Sequence, residues 1–120
     1  MSRSSEEHTI AISPNPKRVR VVLGGAIVAE TTRALTLREA AHPPVHYIPR
    51  EDVAMDLLER TSSITHCPYK GEASYFTVTA HGLTAKDAAW SYEAPRPDAA
   101  PVKDHIAFYP HKVDAIEELG

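Results

Sequence analysis

The sequence predicts a mainly-β fold: a small antiparallel domain of many short strands with one short α-helix. Three observations support this class. Runs of β-branched and aromatic residues recur at short intervals, proline and glycine separate them, and only one stretch has helical spacing. A chain of 120 residues fits one domain. We therefore expect residues 1–7 to be a disordered polar tail and residues 8–120 to form a single domain.

The clearest local signal is a β-hairpin near the N-terminus. Two β-branched runs, residues 18–23 and 26–32, flank Gly24-Gly25. A two-residue turn between antiparallel strands needs positive φ angles, which glycine adopts without steric cost. The pattern therefore predicts a tight hairpin with this turn at its tip.

Other segments predict strands through alternation or β-branched content. Residues 9–12 predict a short edge strand that ends at the proline-rich stretch 13–16. Later strands are expected at 35–39, 45–48, 73–80, 87–93 and 105–109, with a loop at 94–101 and a polar tail after Pro110.

One segment has a helical pattern. Between Glu51 and Arg60, the apolar residues Val53, Leu57 and Leu58 recur at helical spacing, and acidic residues occupy the first turn. The sequence predicts a helix of about ten residues here.

Composition narrows the function classes. The net charge of −3 lacks the basic excess that nucleic-acid binding requires. The single cysteine excludes an intrachain disulfide and fits a reducing compartment. The N-terminus has no apolar signal sequence, and no apolar run is long enough to span a membrane. We expect a cytoplasmic protein that is a monomer or a weak homodimer, with no nucleic-acid or membrane partner.

Several motifs resemble those of a bacterial and fungal family known as domain of unknown function 427. They are Arg18-Val19-Arg20-Val21, residues 25–30, Arg33, Glu39, Tyr47-Ile48-Pro49, Asp52-Val53, Cys67-Pro68-Tyr69-Lys70-Gly71, Tyr75, residues 90–95 and Phe108-Tyr109. The resemblance covers residues 8–114 and implies a β-tent-like fold of two antiparallel sheets. Other β-tent families often hold zinc with two pairs of cysteines, which a single cysteine cannot do.

Cys67 is the first candidate for chemistry. Lys70 lies three residues on, across a turn, and a cationic neighbour favours the reactive thiolate. Cys67 and Lys70 are therefore the candidate catalytic residues. Alternatively, Cys67 is a small buried apolar residue, and Lys70 either holds an anionic ligand group or is a solvated turn residue.

Charged residues bordering apolar segments are candidates for ligand binding. Arg33, Glu39 and Asp52 would orient a polar ligand, or would instead form a structural ion-pair network. An arginine fork suits a carboxylate, either from a ligand or from Glu39. Asp52 also suits the start of the predicted helix.

Aromatic side chains provide a candidate pocket wall. Trp90 and Tyr92 share one face of a predicted strand because strand side chains alternate. With Tyr47 and Tyr75 as neighbours, they would bind a flat or apolar ligand. The alternative is core packing, which we favour for Trp90 because it is the sole tryptophan.

No metal site or cofactor is predicted. His42 and His46 are four residues apart, a spacing that pairs metal ligands only on a helix, and Pro43 and Pro44 exclude a helix there. Three hypotheses remain open. They are an enzyme that uses Cys67 on a small organic substrate, a non-catalytic module that binds a small organic ligand, and an interaction domain that pairs through a sheet edge.

Overall fold

A computed structural model describes residues 9–120 and contains ten strands in three antiparallel sheets. The strands are β1 (Ile10–Asn15), β2 (Arg18–Leu23), β3 (Ala26–Thr31), β4 (Ala34–Glu39), β5 (Val45–Tyr47), β6 (Leu58–Cys67), β7 (Gly71–Ala80), β8 (Leu83–Tyr92), β9 (Ala107–Phe108) and β10 (Ala115–Leu119). The sheet orders are β1-β4-β5, β10-β2-β3 and β6-β7-β8-β9. The mainly-β class is confirmed, with three hydrogen-bonded sheets in place of the two expected. The predicted tail at residues 1–7 lies outside the described residues.

The Gly24-Gly25 hairpin forms as predicted. Strands β2 and β3 pair antiparallel up to Leu23 and Ala26, and the two glycines have φ angles of +61° and +82°. Both positive angles match a turn whose twist suits the flanking strands. The turn is also held from outside, because the Gly24 N–H donates to Asp114 Oδ2 at 2.7 Å.

The first strand is an edge strand, as predicted, but it runs further than expected. Strand β1 pairs only with β4, and it continues through Pro14 to Asn15. Proline lacks an N–H to donate, and an edge strand tolerates this loss on its open side. The proline therefore lies within the strand instead of ending it.

The predicted helix over Glu51–Arg60 is wrong. Two short 3₁₀ turns replace it, at Arg50–Asp52 and Met55–Leu57, and no α-helix occurs within residues 9–120. Leu58 already belongs to β6, where it pairs with Val78. Pairing with the β-prone strand β7 outweighs the weak local helical pattern. None of the described residues forms a helix long and apolar enough to cross a membrane.

The segment after Pro110 is not the polar tail that the sequence predicts. Its last part forms β10, which pairs antiparallel with β2 from Ala115↔Val22 to Leu119↔Arg18. Ile116 packs against the core cluster that contains Val19 and Val21.

The sheet β6-β7-β8-β9 is covered on both faces. Neighbouring residues of β7 enter different core clusters: Phe76 packs with Val19, Val28 and the other residues under the hairpin, whereas Tyr75 packs with a second, aromatic cluster. Side chains alternate across a strand, so this strand separates the two clusters. The second cluster contains Leu37, Tyr47, Tyr75, Trp90, Tyr92, Ala99 and Val102, and it adjoins the cleft described next.

Candidate functional site

A cleft of about 670 Å³ lies between the three sheets. Its lining side chains come from distant parts of the sequence, so it exists only in the folded chain. We call it the Trp90 cleft. Its lining residues are Val21, Glu39, His42, Pro43, Pro44, Val45, His46, Ile48, Cys67, Lys70, Trp90, Phe108, Tyr109, Pro110 and Ile116. A volume of several hundred Å³ suits a small organic molecule.

An ion pair lies at this cleft. Lys70 Nζ donates to Glu39 Oε1, and the two side chains retain only 14% and 11% of their exposure. Glu39 ends β4, whereas Lys70 lies in the turn between β6 and β7, so the pair joins two sheets. A charge this well buried requires a partner, and each of these residues supplies one for the other.

The position of Lys70 depends on a tight turn. Cys67 pairs with Gly71 across Pro68–Lys70, and Gly71 has a φ angle of +113°. The backbone of the loop after β8 packs against this turn, with the Arg96 N–H donating to the Lys70 carbonyl at 2.9 Å. This contact fixes the backbone from which Lys70 reaches Glu39.

Cys67 also lines the cleft and is partly buried. The ammonium of Lys70 is hydrogen-bonded to the Glu39 carboxylate. The cation that would favour a thiolate is therefore neutralised by a nearer anion. This arrangement weakens the electrostatic basis for Cys67 as a nucleophile, although the thiol remains beside the cavity.

Aromatic rings form one wall of the cleft. Trp90 is 9% exposed, and its ring lies 4.4 Å from that of Tyr109, centroid to centroid. The Trp90 Nε1–H donates to Tyr47 Oη at 3.3 Å, and the hydroxyl groups of Tyr75 and Tyr109 lie 3.3 Å apart. These polar atoms are engaged with one another, so the wall presents mainly apolar ring surface.

Tyr47 and Tyr92 lie behind this wall rather than in the cleft. They are buried in the aromatic cluster with Trp90, and Tyr47 is only 1% exposed. Burial raises the pKa of both phenols, because the ionised form loses its hydration. Trp90 belongs both to this core and to the cleft wall.

Arg33 and Asp52 lie outside the Trp90 cleft. Arg33 is an exposed residue whose guanidinium contacts Glu51 and Asp52, each at 3.1 Å. Asp52 also accepts the Thr31 hydroxyl at 2.7 Å. The hydrogen bonds that Arg33 donates to Asp52 and then to Glu51 raise its pKa. Of the two interpretations from sequence, the structure shows the ion-pair network for these residues, and Glu39 binds Lys70 instead of Arg33.

His46 is a cleft residue to which sequence spacing assigns no role. Thr36 Oγ1 lies 2.9 Å from His46 Nδ1 and accepts the Asn15 amide at 3.2 Å, while Asn15 also donates to Glu118 at 2.7 Å. Burial lowers the pKa of His46, which favours the neutral ring. The pairing of β1 and β5 with the two edges of β4 creates this chain of hydrogen bonds, and only a correct strand register would have revealed it from sequence.

No group of three or more His, Cys, Asp or Glu side chains within residues 9–120 is arranged to hold a metal ion. The residues that converge on the cleft are instead one ion pair, two histidines, one thiol and an aromatic wall. Such a mixture of few polar groups and much apolar surface is typical of small-molecule sites.

The fold and the cleft together define a small antiparallel β domain with one concave, partly aromatic site. The chain belongs to the family described as domain of unknown function DUF427, whose model matches residues 11–119. A comparison with curated proteins gives no match.

Proposed function

We propose that this domain binds a flat, largely apolar small organic molecule in the Trp90 cleft, without covalent chemistry at Cys67. One observation carries the proposal. Glu39, which is distant in sequence from Cys67 and Lys70, shares a single cavity of about 670 Å³ with these two residues and with Trp90. Pockets of this size, with an apolar lining and few polar groups, bind small ligands.

A binding role is favoured over catalysis by the pairing of Lys70. An activated cysteine needs a cation or a general base directed at its sulfur. Lys70 is bound to Glu39, and the Nδ1 atom of His46 is bound to Thr36. Lys70 and the Nδ1 atom of His46 therefore make contacts other than one with the Cys67 sulfur.

The single cysteine and mild negative charge suit a cytoplasmic binder that acts as a monomer or a weak homodimer. The same charge balance gives no reason to propose a nucleic-acid partner.

Trp90 fluorescence offers a direct test of ligand binding. Trp90 is the sole tryptophan and lines the cleft, so an occupant should change its emission. A library of small planar metabolites should contain compounds that shift the emission of the wild-type protein and saturate with concentration. If no compound perturbs Trp90, the cleft is not a ligand site and the proposal fails.

The Cys67→Ser variant separates binding from covalent catalysis. We expect it to bind each hit within about twofold of wild type, because a hydroxyl replaces the thiol with little change in shape. We also expect Lys70→Gln to leave the rate of Cys67 alkylation by iodoacetamide within about twofold. A tenfold slower alkylation in Lys70→Gln would instead show that Lys70 activates the thiol, and would favour the enzyme.

A further inference from the structure

The Glu39–Lys70 ion pair and His46 indicate which chemical class of ligand the Trp90 cleft takes. Resting on the proposed function, we infer that the cleft selects an uncharged planar ligand with an amide or lactam edge, in which a carbonyl acceptor adjoins an N–H donor. Three properties support this: the charge balance of the cleft, the hydrogen-bonding groups that remain available, and the tautomer of His46.

The cleft has no net charge to offer a ligand. Its two ionic side chains are Glu39 and Lys70, and each neutralises the other. A carboxylate ligand would either displace Glu39 from Lys70 or place a second negative charge beside Glu39, and an ammonium ligand would do the equivalent to Lys70. Either arrangement leaves one charge poorly paired in a site where both side chains are nearly buried, which is costly. A neutral ligand avoids this cost.

The ion pair still has hydrogen-bonding capacity. An ammonium has three N–H donors and a carboxylate has two acceptor oxygens. Within residues 9–120, the bond between Lys70 Nζ and Glu39 Oε1 is the only side-chain hydrogen bond that either residue makes. A donor and an acceptor therefore lie side by side at the cleft. This pattern complements an amide or lactam edge, whose carbonyl accepts and whose N–H donates.

The tautomer of His46 adds a second donor. Thr36 is 3% exposed, and its hydroxyl oxygen accepts an N–H from Asn15. The buried hydroxyl proton of Thr36 needs an acceptor, and within residues 9–120 the only acceptor that this hydroxyl contacts is His46 Nδ1. We therefore assign Nδ1 as the acceptor and place the ring proton on Nε2. A neutral His46 with Nε2–H is a hydrogen-bond donor at the cleft, suited to a ligand carbonyl.

The aromatic wall of the cleft favours a ligand with a planar ring. The polar atoms of Trp90 and Tyr109 are engaged by Tyr47 and Tyr75, which leaves ring surface for contact. Exposed proline rings at positions 43, 44 and 110 extend the apolar lining. A flat ring placed against this wall brings its substituent toward the polar groups of the same cleft.

The test uses three probes that share a phenyl ring and differ in charge: benzamide, benzoate and benzylamine. Binding to the wild-type protein is followed by Trp90 emission at pH 7. We expect benzamide to bind at least about threefold more tightly than either charged probe. Equal or tighter binding of benzoate or benzylamine would overturn the inference while leaving the proposed function intact.

The metabolite library separates the two proposals. Hits that are mainly uncharged amides or lactams support the inference. Hits that are mainly carboxylates or amines refute it but still support a ligand site. If no library compound and none of the three probes changes the Trp90 emission, the proposed function is refuted, and the inference that rests on it is refuted as well.

Substitution of Glu39 should reverse the preference. In Glu39→Gln the Lys70 ammonium loses its anionic partner, so benzoate should gain at least about tenfold relative to benzamide. Glu59→Gln makes the same chemical change at an exposed β6 position and should leave the preference unchanged. A folded Glu39→Gln protein with the wild-type preference contradicts the inference. If that variant does not fold, the wild-type probe series decides.

The tautomer of His46 can be measured by NMR in the ligand-free protein. Long-range ¹H–¹⁵N spectra of the imidazole rings, with His46 assigned by His46→Gln, should show a protonated Nε2 and an unprotonated Nδ1. A proton on Nδ1 would remove His46 as a donor and contradict that part of the inference. Thr36→Val should release the preference and yield a mixture of tautomers.

Discussion

At the residue scale, Gly71 shows how one backbone position sets the site. Its φ angle of +113° is one that residues with a side chain rarely adopt. A Cβ atom there would lie 3.3 Å from the Arg96 nitrogen and 3.4 Å from the Ala94 oxygen. Glycine thus permits both the turn that carries Lys70 and the close approach of the loop after β8.

We expect Gly71→Ala to lower the free energy of unfolding by about 2 kcal/mol, because backbone strain and a tight contact with the loop after β8 combine. Gly82→Ala is the matched control, since Gly82 has a φ angle of +82° and a Cβ atom there would have no neighbour within 4 Å. It should lose only about 1 kcal/mol, from strain alone. Urea unfolding of both variants measures the difference, and equal losses would contradict the role of the close approach.

The same scale shows how far the site is predictable. The sequence identifies the motif around Cys67 and Lys70, together with Glu39 and Trp90, and these residues do line one cleft. Arg33 and Asp52 do not line it, and Arg33 instead pairs with Glu51 and Asp52, each at 3.1 Å. The partner of a charged side chain depends on the position of each residue in the folded structure, and residue type alone does not specify that position.

At the element scale, Asp87 joins two irregular strands. Register shifts occur in β6 between Arg60 and Ile64, and in the pairing of β7 with β8 beside Asp87. The Asp87 carboxylate accepts the hydroxyl groups of Thr61 and Ser63, both at 2.7 Å. It therefore reaches across β7 and ties the bulge of β8 to that of β6.

We expect Asp87→Asn to destabilise the protein by about 1 kcal/mol at pH 7, because one hydroxyl loses its acceptor. The hydrogen bonds from Ser63 and then Thr61 lower the pKa of Asp87 in the folded state. A lowered folded pKa stabilises the protein above the unfolded value, about 3.9, and this contribution is lost as the pH falls through the folded pKa. The stability difference between wild type and Asp87→Asn should therefore shrink below about pH 4.

Asp104→Asn is the control for this prediction. Asp104 also has a positive φ angle, +63°, but it is exposed and its carboxylate makes none of these hydroxyl contacts. Its substitution should change stability little at any pH. A pH-independent difference for Asp87→Asn would show that its charge contributes nothing.

Elements are predicted well where local geometry decides them. The two glycines between β-branched runs require positive φ angles, and the hairpin forms with those angles. The prediction of a helix over Glu51–Arg60 fails because its apolar spacing is equally compatible with 3₁₀ turns that lead into a strand. Residues 58–60 pair with Val78, Thr77 and Phe76 of β7, 16 to 20 residues further along the chain, and a local sequence pattern does not detect such a partner.

At the scale of the whole molecule, the C-terminal strand completes the sheet that begins with β2. Strand β10 pairs with β2 over five residues, and Asp114 holds the Gly24 turn. Its sequence has no clear alternation, so local pattern does not predict a strand there. Its role follows from the partner it meets rather than from its own pattern.

We expect deletion of residues 115–120 to lower the free energy of unfolding by about 3 kcal/mol or more. The deletion removes the β10 ladder, uncovers the edge of β2 and takes Ile116 from the core. Removal of Gly120 alone is the control and should be neutral, because Gly120 lies beyond β10. Urea unfolding decides, and wild-type stability in the longer deletion would show that β10 is dispensable.

Strand β10 also affects the folding of the chain during its synthesis. A hydrogen bond joins Asn15 and Glu118, which are 103 positions apart in the chain. Strand β10 is also the outer neighbour of β2 in its sheet. Contacts between such distant segments form slowly, because a long loop must close first. Until β10 has left the ribosome, the outer edge of β2 is therefore unpaired and open to aggregation or to binding by chaperones.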